Sequence, residues 1–296
     1  MVIVFGSINL DLIFPLDRLP GPGETLLGPA ARVEPGGKGA NQAVAAARDG
    51  ARVLMAGAVG RDALAEGALA GLVGAGVDLG RVARVDAATG CAAVCTDARG
   101  LNQIAVGAGA NLLARAGQVE DAALGPGATL LAQMETDPAE TAALIRRARA
   151  RGARVVLNLA PARSLDADAL RAVDLLVVNE PEAEWLARHL GAGADAAGLR
   201  AALGVGVVRT LGADGAEYAA TGPGGEEGRV PARPVRVVDS TAAGDCFTGV
   251  MAAALDRGAP LREALGRASV AAGLCCTRAG SQGSLPTAAE VDAAGG

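Results

Sequence analysis

The stretch Asp239-Ser240-Thr241-Ala242-Ala243-Gly244-Asp245 sets a carboxylate at each end of a run of small residues. Apolar residues at 235–238 predict a strand before it, and the composition of 246–255 predicts a helix after it that stops near Gly258. A strand, a tight turn and a helix start leave first-turn N–H groups unpaired at the positive end of the helix dipole, so an anion is the expected guest. The small side chains of Ala242, Ala243 and Gly244 let it reach the backbone. Asp245 then has two readings: a helix cap, for which Asp is favoured, or a base beside the anion.

Polar residues recur where other apolar runs end. Asn9 and Asp11 follow the run 2–5, as ligand-facing residues or as the Asx bonds of a turn. Pro35-Gly36-Gly37-Lys38-Gly39-Ala40-Asn41-Gln42 opens a helix that runs to Gly50; its glycines allow close backbone approach to a ligand and Lys38 adds positive charge. The spacing is not that of a Walker A loop, because Gly39 stands where Ser or Thr is required. Met134-Glu135 follows the strand 129–133, Asn158 the strand 154–157, Asn179-Glu180-Pro181-Glu182 the strand 174–178 and Leu211-Gly212-Ala213-Asp214-Gly215 the strand 205–210. Gly212 to Gly215 suits phosphate contact and is equally a plain β-turn.

The elements that must position these residues alternate. Strand 52–58 and helix 62–74, then strand 129–133, helix 138–151 and the strands at 154, 174 and 205, predict a parallel sheet covered on both faces, with its ligands at the carboxyl edge. Two short apolar runs, 90–96 and 101–106, flank Asp97-Ala98-Arg99-Gly100 and read as a hairpin. With 12–35, where 25–33 has strand character, it would form a small β appendage acting as a lid. Residues 191–198 read as a glycine-bearing loop and 222–228 as a surface loop, and no linker divides 1–296 into two folded units.

Composition removes several functions. One Trp, one Tyr and three Phe leave almost no stacking platform for single-stranded nucleic acid, and a net charge of −5 without a long basic block disfavours a phosphate-backbone partner. The five cysteines, Cys91, Cys95, Cys246, Cys275 and Cys276, contain no CxxC pair and read as small buried residues. The one histidine, His189, follows Trp185 by four and is read as structural, which argues against a His-rich metal site or a Ser-His-Asp triad. Gly6-Ser7-Ile8-Asn9-Leu10-Asp11 after the first strand is not the dinucleotide fingerprint of an oxidoreductase. Without a basic leader before the first apolar run or a long uncharged span, the chain is expected to be soluble and cytoplasmic, with no membrane partner.

Gly6-Ser7-Ile8-Asn9-Leu10-Asp11, Leu19-Pro20-Gly21-Pro22-Gly23-Glu24-Thr25, Gly36 to Ala43, Asn179-Glu180-Pro181-Glu182 and Asp239 to Asp245 occur in the order found in the ribokinase family of sugar kinases, and the resemblance covers nearly the whole chain. Gly36 to Arg48, Asn158-Leu159-Ala160-Pro161-Ala162 and Thr277-Arg278-Ala279-Gly280-Ser281-Gln282 resemble its ribokinase branch. The resemblance implies a ribokinase-like three-layer α/β/α sandwich with a mostly parallel central sheet and a β-sheet lid, and an ATP-dependent transfer to O5 of D-ribose. It implies that Asn9, Asp11, Gly37, Lys38, Gly39, Ala40, Asn41, Glu135 and Asp245 surround the sugar. Ala242, Ala243 and Gly244 would form the anion hole and Asp245 the base. Asn179, Thr210, Gly212, Ala213, Asp214, Gly215, Gly244, Asp245 and Ser269 would line the ATP site, with Ser269 standing where ribokinases often carry Asn. Asn179 and Glu182 would organise Mg2+ through water. Asp239, Thr241, Cys275, Arg278, Gly280 and Ser284 would bind K+, several through carbonyls. A homodimer through the lid is expected. A kinase for another sugar or a nucleoside, or a catalytically idle sugar-binding protein, would share the same scaffold.

Overall fold

The computed structural model describes residues 1–97, 102–222 and 225–295. Strands β1 (Val2–Phe5), β4 (Val53–Val59), β5 (Asp78–Arg84), β8 (Thr129–Ala132), β9 (Arg154–Asn158), β10 (Leu175–Asn179), β11 (Gly206–Thr210), β12 (Ala216–Ala219) and β13 (Glu227–Val230) form one nine-stranded sheet. Its order is β13-β12-β11-β10-β9-β8-β1-β4-β5. Every pair from β11 to β5 is parallel, and only β12 and β13 are antiparallel additions at one edge. The chain starts at β1, builds outward to β5, then returns to build from β8 to the other edge. The β1–β8 junction is therefore the switch point at which an open α/β sheet presents a crevice.

The second, four-stranded sheet runs β3 (Arg32–Gly36), β2 (Asn9–Pro15), β6 (Gly90–Thr96), β7 (Asn102–Gly107). The β6–β7 pair is the expected antiparallel hairpin, whose turn lies, apart from Asp97, outside the described residues.

Alternation along β1 explains the three layers. Val2 and Val4 point into the core under α1 (Lys38–Arg48), α2 (Leu64–Gly74), α7 (Ala243–Asp256), α8 (Leu261–Cys275) and α9 (Ala288–Gly295). Ile3 and Phe5 point into the other core, under α3 (Pro138–Arg151), α4 (Ala167–Arg171), α5 (Glu180–Leu190) and α6 (Ala196–Leu203). Successive strand residues face opposite sides, so a strand covered on both reads as a continuous apolar run. Local signals set the ends of α3: the Asp137 carboxylate accepts the Ala139 N–H at 2.8 Å, Pro138 opens the helix, and Gly152 closes it in the left-handed conformation.

The expected strand at 235–238 is absent. Pro231 and Pro234 supply no N–H to a neighbour, and the segment crosses the end of α8 instead, with Val238 N–H donating to the Cys276 carbonyl at 2.8 Å and both Val237 and Val238 62% exposed. The strand character at 25–33 is confined to Arg32 and Val33, and Asn9 to Asp11 already lie in β2 rather than in a turn. Glu227 and Gly228 pair with Ala219 and Tyr218, so the loop at 222–228 ends in a strand. The loop at 191–198 gives way to α6 at Ala196. Trp185 and His189 stack at 4.0 Å on α5, in keeping with a structural histidine. Among the described residues no helix is long and apolar enough to cross a membrane.

Candidate active site

Asp245 is buried in the first turn of α7 and does not cap it; Ala242 is the cap position and has no side-chain bond to offer. Both carboxylate oxygens of Asp245 face α1 instead. Oδ2 accepts from Asn41 Nδ2 at 3.0 Å and Oδ1 from Gln42 Nε2 at 2.9 Å. The cap reading therefore fails on geometry.

Ala242 is the only non-glycine with positive φ among the described residues (59°). A left-handed conformation costs a residue with a Cβ about 1–2 kcal/mol, so the turn is held open by its surroundings. Asp239 Oδ1 accepts the Thr241 N–H at 2.9 Å, and Ala243 N–H donates to the Ser240 carbonyl at 3.2 Å. Among the described residues the N–H groups of Ala242 and Gly244 carry no backbone bond. The Asp245 N–H is likewise without a backbone bond, so the donors left open at this helix start are those of residues 242, 244 and 245, while the Ala243 N–H is taken up by the turn.

The N-terminus of α1 is different. Lys38 N–H donates to Glu135 Oε2 (3.2 Å), Gly39 N–H to Ser7 Oγ (3.2 Å), Ala40 N–H to the Ser7 carbonyl (2.8 Å) and Asn41 N–H to the Gly37 carbonyl (2.8 Å). Glu135 also accepts from Ser7 Oγ at 2.5 Å. This helix end is closed by the protein itself, and Ala40 is fully buried rather than facing a ligand. The glycines serve the same closure. A Cβ on Gly39 would stand 2.6 Å from the Ser7 nitrogen, and Gly37 adopts φ 88° with Asn9 N and Ser7 O within 3.0 Å of its missing Cβ.

What α1 delivers is the Lys38 side chain. It lines a cavity of about 240 Å³ together with Asn158, Asn179, Glu182, Thr210, the 242–244 turn and Asp245. The Asp245 carboxylate, followed by Glu135 and Glu182, raises the Lys38 pKa, so the ammonium is secure there. Asn179 and Glu182 form a capping box at the start of α5: Glu182 N–H donates to Asn179 Oδ1 and Asn179 N–H to Glu182 Oε2, both at 2.9 Å. Burial raises the Glu182 pKa despite that bond.

Asn9 is buried in β2, where its Oδ1 accepts from Asn111 Nδ2 at 2.7 Å while Asn111 Oδ1 holds the Ile8 N–H. Asn111 had no signal in the sequence, because it is 102 residues from its partner in a short 3-10 turn. Asp11 Oδ1 is buried without a hydrogen-bond partner. Burial, then the charges of Glu135, Glu34 and Asp245, push its carboxyl up to about 7.

A second cavity, about 510 Å³, adjoins the first through Thr210, Ser240, Ala243 and Gly244. Gly212, Ala213, Gly215 and Ser269 line it as expected, whereas Asp214 is exposed outside its lining. Ser269 Oγ donates to the Pro231 carbonyl at 2.7 Å, which pins the segment after β13 as the cavity's far wall. Phe247, Val235 and Val237 supply apolar surface that no motif announced.

Beside the turn, Asp239 ties two loops together, its Oδ2 accepting the Gly280 N–H at 3.0 Å. Burial alone would raise its pKa, but the bonds from Thr241 and Gly280 outweigh it and the carboxyl lies below the usual range. Cys275 Sγ contacts Ser284 Oγ at 3.0 Å and the Thr241 carbonyl at 3.7 Å. The Arg278 guanidinium is paired with Glu290, leaving its backbone for any other partner. No cluster of three or more His, Cys, Asp or Glu able to hold a metal occurs among the described residues.

A switch-point crevice, two adjoining cavities and a buried carboxylate lining the smaller of them are features that suit a phosphotransferase of the sugar-kinase class. Residues 1–288 match the pfkB family carbohydrate kinases, and the chain belongs to that family, whose members transfer a phosphoryl group to a sugar hydroxyl. It is 35% identical over 298 residues to the ribokinase of Bacillus subtilis, covering 98% of each chain. The crystal structure of a ribokinase from Thermotoga maritima superposes with a TM-score of 0.90 at 30% identity, over 99% of this chain and 98% of that one. Arabidopsis thaliana ribokinase complexed with ribose and ATP gives 0.87 at 28% identity, with 99% and 98% covered. The chain is a ribokinase-type sugar kinase, and the expected α/β/α sandwich with a separate small sheet is the fold observed.

Proposed function

We propose that the protein is a cytoplasmic, ATP-dependent kinase that phosphorylates the 5-hydroxyl of D-ribose, with Asp245 as general base. The observation that carries this reading is the position of Asp245: it lines the smaller cavity together with Lys38, and that cavity shares Thr210, Ser240, Ala243 and Gly244 with the larger, more apolar cavity suited to a nucleotide base. The ribose and ATP held by the Arabidopsis ribokinase, and the 35% identity of this chain to the ribokinase of Bacillus subtilis, support ribose as the sugar.

Asn9, Asp11, Lys38, Asn41 and Glu135 would hold the sugar, with O5 presented to Asp245. The γ-phosphoryl group would lie on the Ala242 and Gly244 N–H groups, opposite the attacking oxygen. Phosphoryl transfer has a loose transition state, so positioning and neutralisation of the phosphoryl oxygens by the turn and Lys38 contribute more than proton removal. As the bond from O5 to the γ-phosphorus forms, the bond from that phosphorus to the β,γ-bridging oxygen breaks, ADP leaves with the electron pair, and Asp245 takes the O5 proton.

The residues fit the two cations. Glu182 is a hard oxygen donor only partly engaged by its cap, and a single carboxylate with substrate phosphates is the usual way to hold magnesium. With Asn179 it would bind Mg2+ through water, and the ion supplies charge neutralisation on the phosphates. The carboxylate of Asp239, the Ser284 hydroxyl and carbonyls at Thr241, Cys275, Arg278 and Gly280 offer hard oxygen atoms suited to K+, which supplies positive charge beside the anion turn.

The small sheet would act as a lid and as a dimer surface. Residues 103–107 of β7 are exposed throughout, including Ile104 (56%) and Val106 (50%), an apolar edge of the kind that pairs with a second copy.

Purified protein with ATP is assayed against D-ribose, fructose 6-phosphate, 2-keto-3-deoxygluconate, adenosine and pseudouridine, with and without potassium. Ribose is expected to show the highest kcat/KM, and a higher value for any other acceptor overturns the assignment.

A further inference from the structure

Gln42 is fully buried, lines neither cavity, and makes more side-chain hydrogen bonds than its place on a packed helix face requires. Its Nε2 donates to Asp245 Oδ1 at 2.9 Å and to Asn158 Oδ1 at 3.0 Å, which uses both amide hydrogens. Its Oε1 accepts from Gln133 Nε2 at 2.7 Å. Asn158 is itself oriented, because its Nδ2 donates to the Val177 carbonyl at 3.2 Å and leaves Oδ1 as the acceptor. Turning the Gln42 amide over would set its oxygen against a carboxylate oxygen and an amide oxygen, two acceptor–acceptor contacts in a buried place.

We propose that Gln42 is the positioning residue for the base: it fixes the rotation of the Asp245 carboxylate, and Gln133 and Asn158 fix Gln42. The proposal rests on the reading of Asp245 as the base. Asn41, the preceding residue of α1, donates to the other oxygen, Oδ2, and its own Oδ1 accepts from Gln282 Nε2 at 3.1 Å. Consecutive helix residues thus grip one oxygen each. A carboxylate held on both oxygens cannot swing about its last torsion, and Asp245 still lines the smaller cavity. Neutral amides do this without adding charge beside the phosphates. In-line transfer tolerates little error; a displacement of about 1 Å is able to cost on the order of 10²-fold in rate.

The test compares Gln42→Met, which keeps the side chain's length but has no donor, with Gln133→Met, which removes only the bond that orients Gln42. Gln42→Met is expected to lower kcat about 10- to 100-fold while KM for ribose and ATP changes by less than about threefold. Gln133→Met should move kcat in the same direction by a smaller factor and decides the matter if Gln42→Met does not fold. A purely packing role for Gln42 would lower Tm and leave the kcat of the folded variants at the wild-type value; that result overturns the proposal. Asp245→Asn, run alongside, separates the two readings: if it is inactive while folded Gln42→Met turns over normally, only the positioning role fails, and if it turns over normally the base assignment fails with it.

Discussion

Gly249 lies against Gln42 so closely that a Cβ on Gly249 would sit 2.4 Å from the Gln42 carbonyl oxygen. The contact joins α7 to α1 about one turn from the start of α1 and one turn beyond Asp245 in α7. The absence of a side chain there is what lets Asp245 reach Asn41 and Gln42. Gly249→Val forces the helices apart, and overpacking of this kind typically costs about 1–3 kcal/mol. We expect a lower Tm together with a loss of kcat larger than the loss of ribose affinity. Unchanged Tm and kcat would show that the helices have room to spare.

Asp245→Asn retains the shape of the side chain and removes the proton acceptor. General-base catalysis is typically worth about 10²–10⁴-fold, so kcat should fall within that range while ribose binding, followed by calorimetry, changes little. Turnover near the wild-type rate excludes Asp245 as the base.

With Asp11 as the proposed sugar ligand, ribose binding should depend on pH. Its carboxyl is held at about 7, first by burial and then by Glu135, Glu34 and Asp245. The ionised form is the better acceptor for sugar hydroxyls, so the ribose Kd should rise as pH falls from 8 to 6, by up to about tenfold per pH unit below the midpoint. Stability runs the other way. The folded state holds this proton more tightly than the unfolded chain, whose value is near 3.8, so the group's contribution is full below that pH and is lost as pH rises toward 7. Asp11→Asn should flatten both profiles; a ribose Kd that is flat in the wild type contradicts the assignment.

The exposed β7 edge predicts a dimer. Sedimentation at micromolar concentration should give twice the chain mass, and Ile104→Asp should give a monomer that still melts cooperatively. A wild-type monomer under those conditions rules out the lid interface.

Much of the scaffold was readable from local chemistry. The boundaries of α3 follow from Asp137, Pro138 and Gly152, and the parallel sheet follows from apolar runs spaced by helical segments. The strand expected at 235–238 is not formed: three valines in four residues look like a strand wherever they stand, and only the missing partner strand reveals otherwise. Likewise β12 and β13 are short edge additions whose burial depends on α6 and α8, which no window of residues contains.

The order of motifs from Asn9 to Asp245 determined the family and the residues around which the site is built. Tertiary structure alone decided which of two glycine-bearing helix starts is open. The first turn of α1 is closed by Glu135 and Ser7, 97 and 32 residues away, whereas Ala242 and Gly244 at α7 keep their N–H groups free. It alone also placed Gln42, Gln133 and Asn158 behind the carboxylate. Capping and periodicity are properties of neighbours in the chain and can be read there. Which distant polar group satisfies a buried donor depends on how the layers pack, and for this site that packing turns on a glycine in α7 meeting a carbonyl in α1.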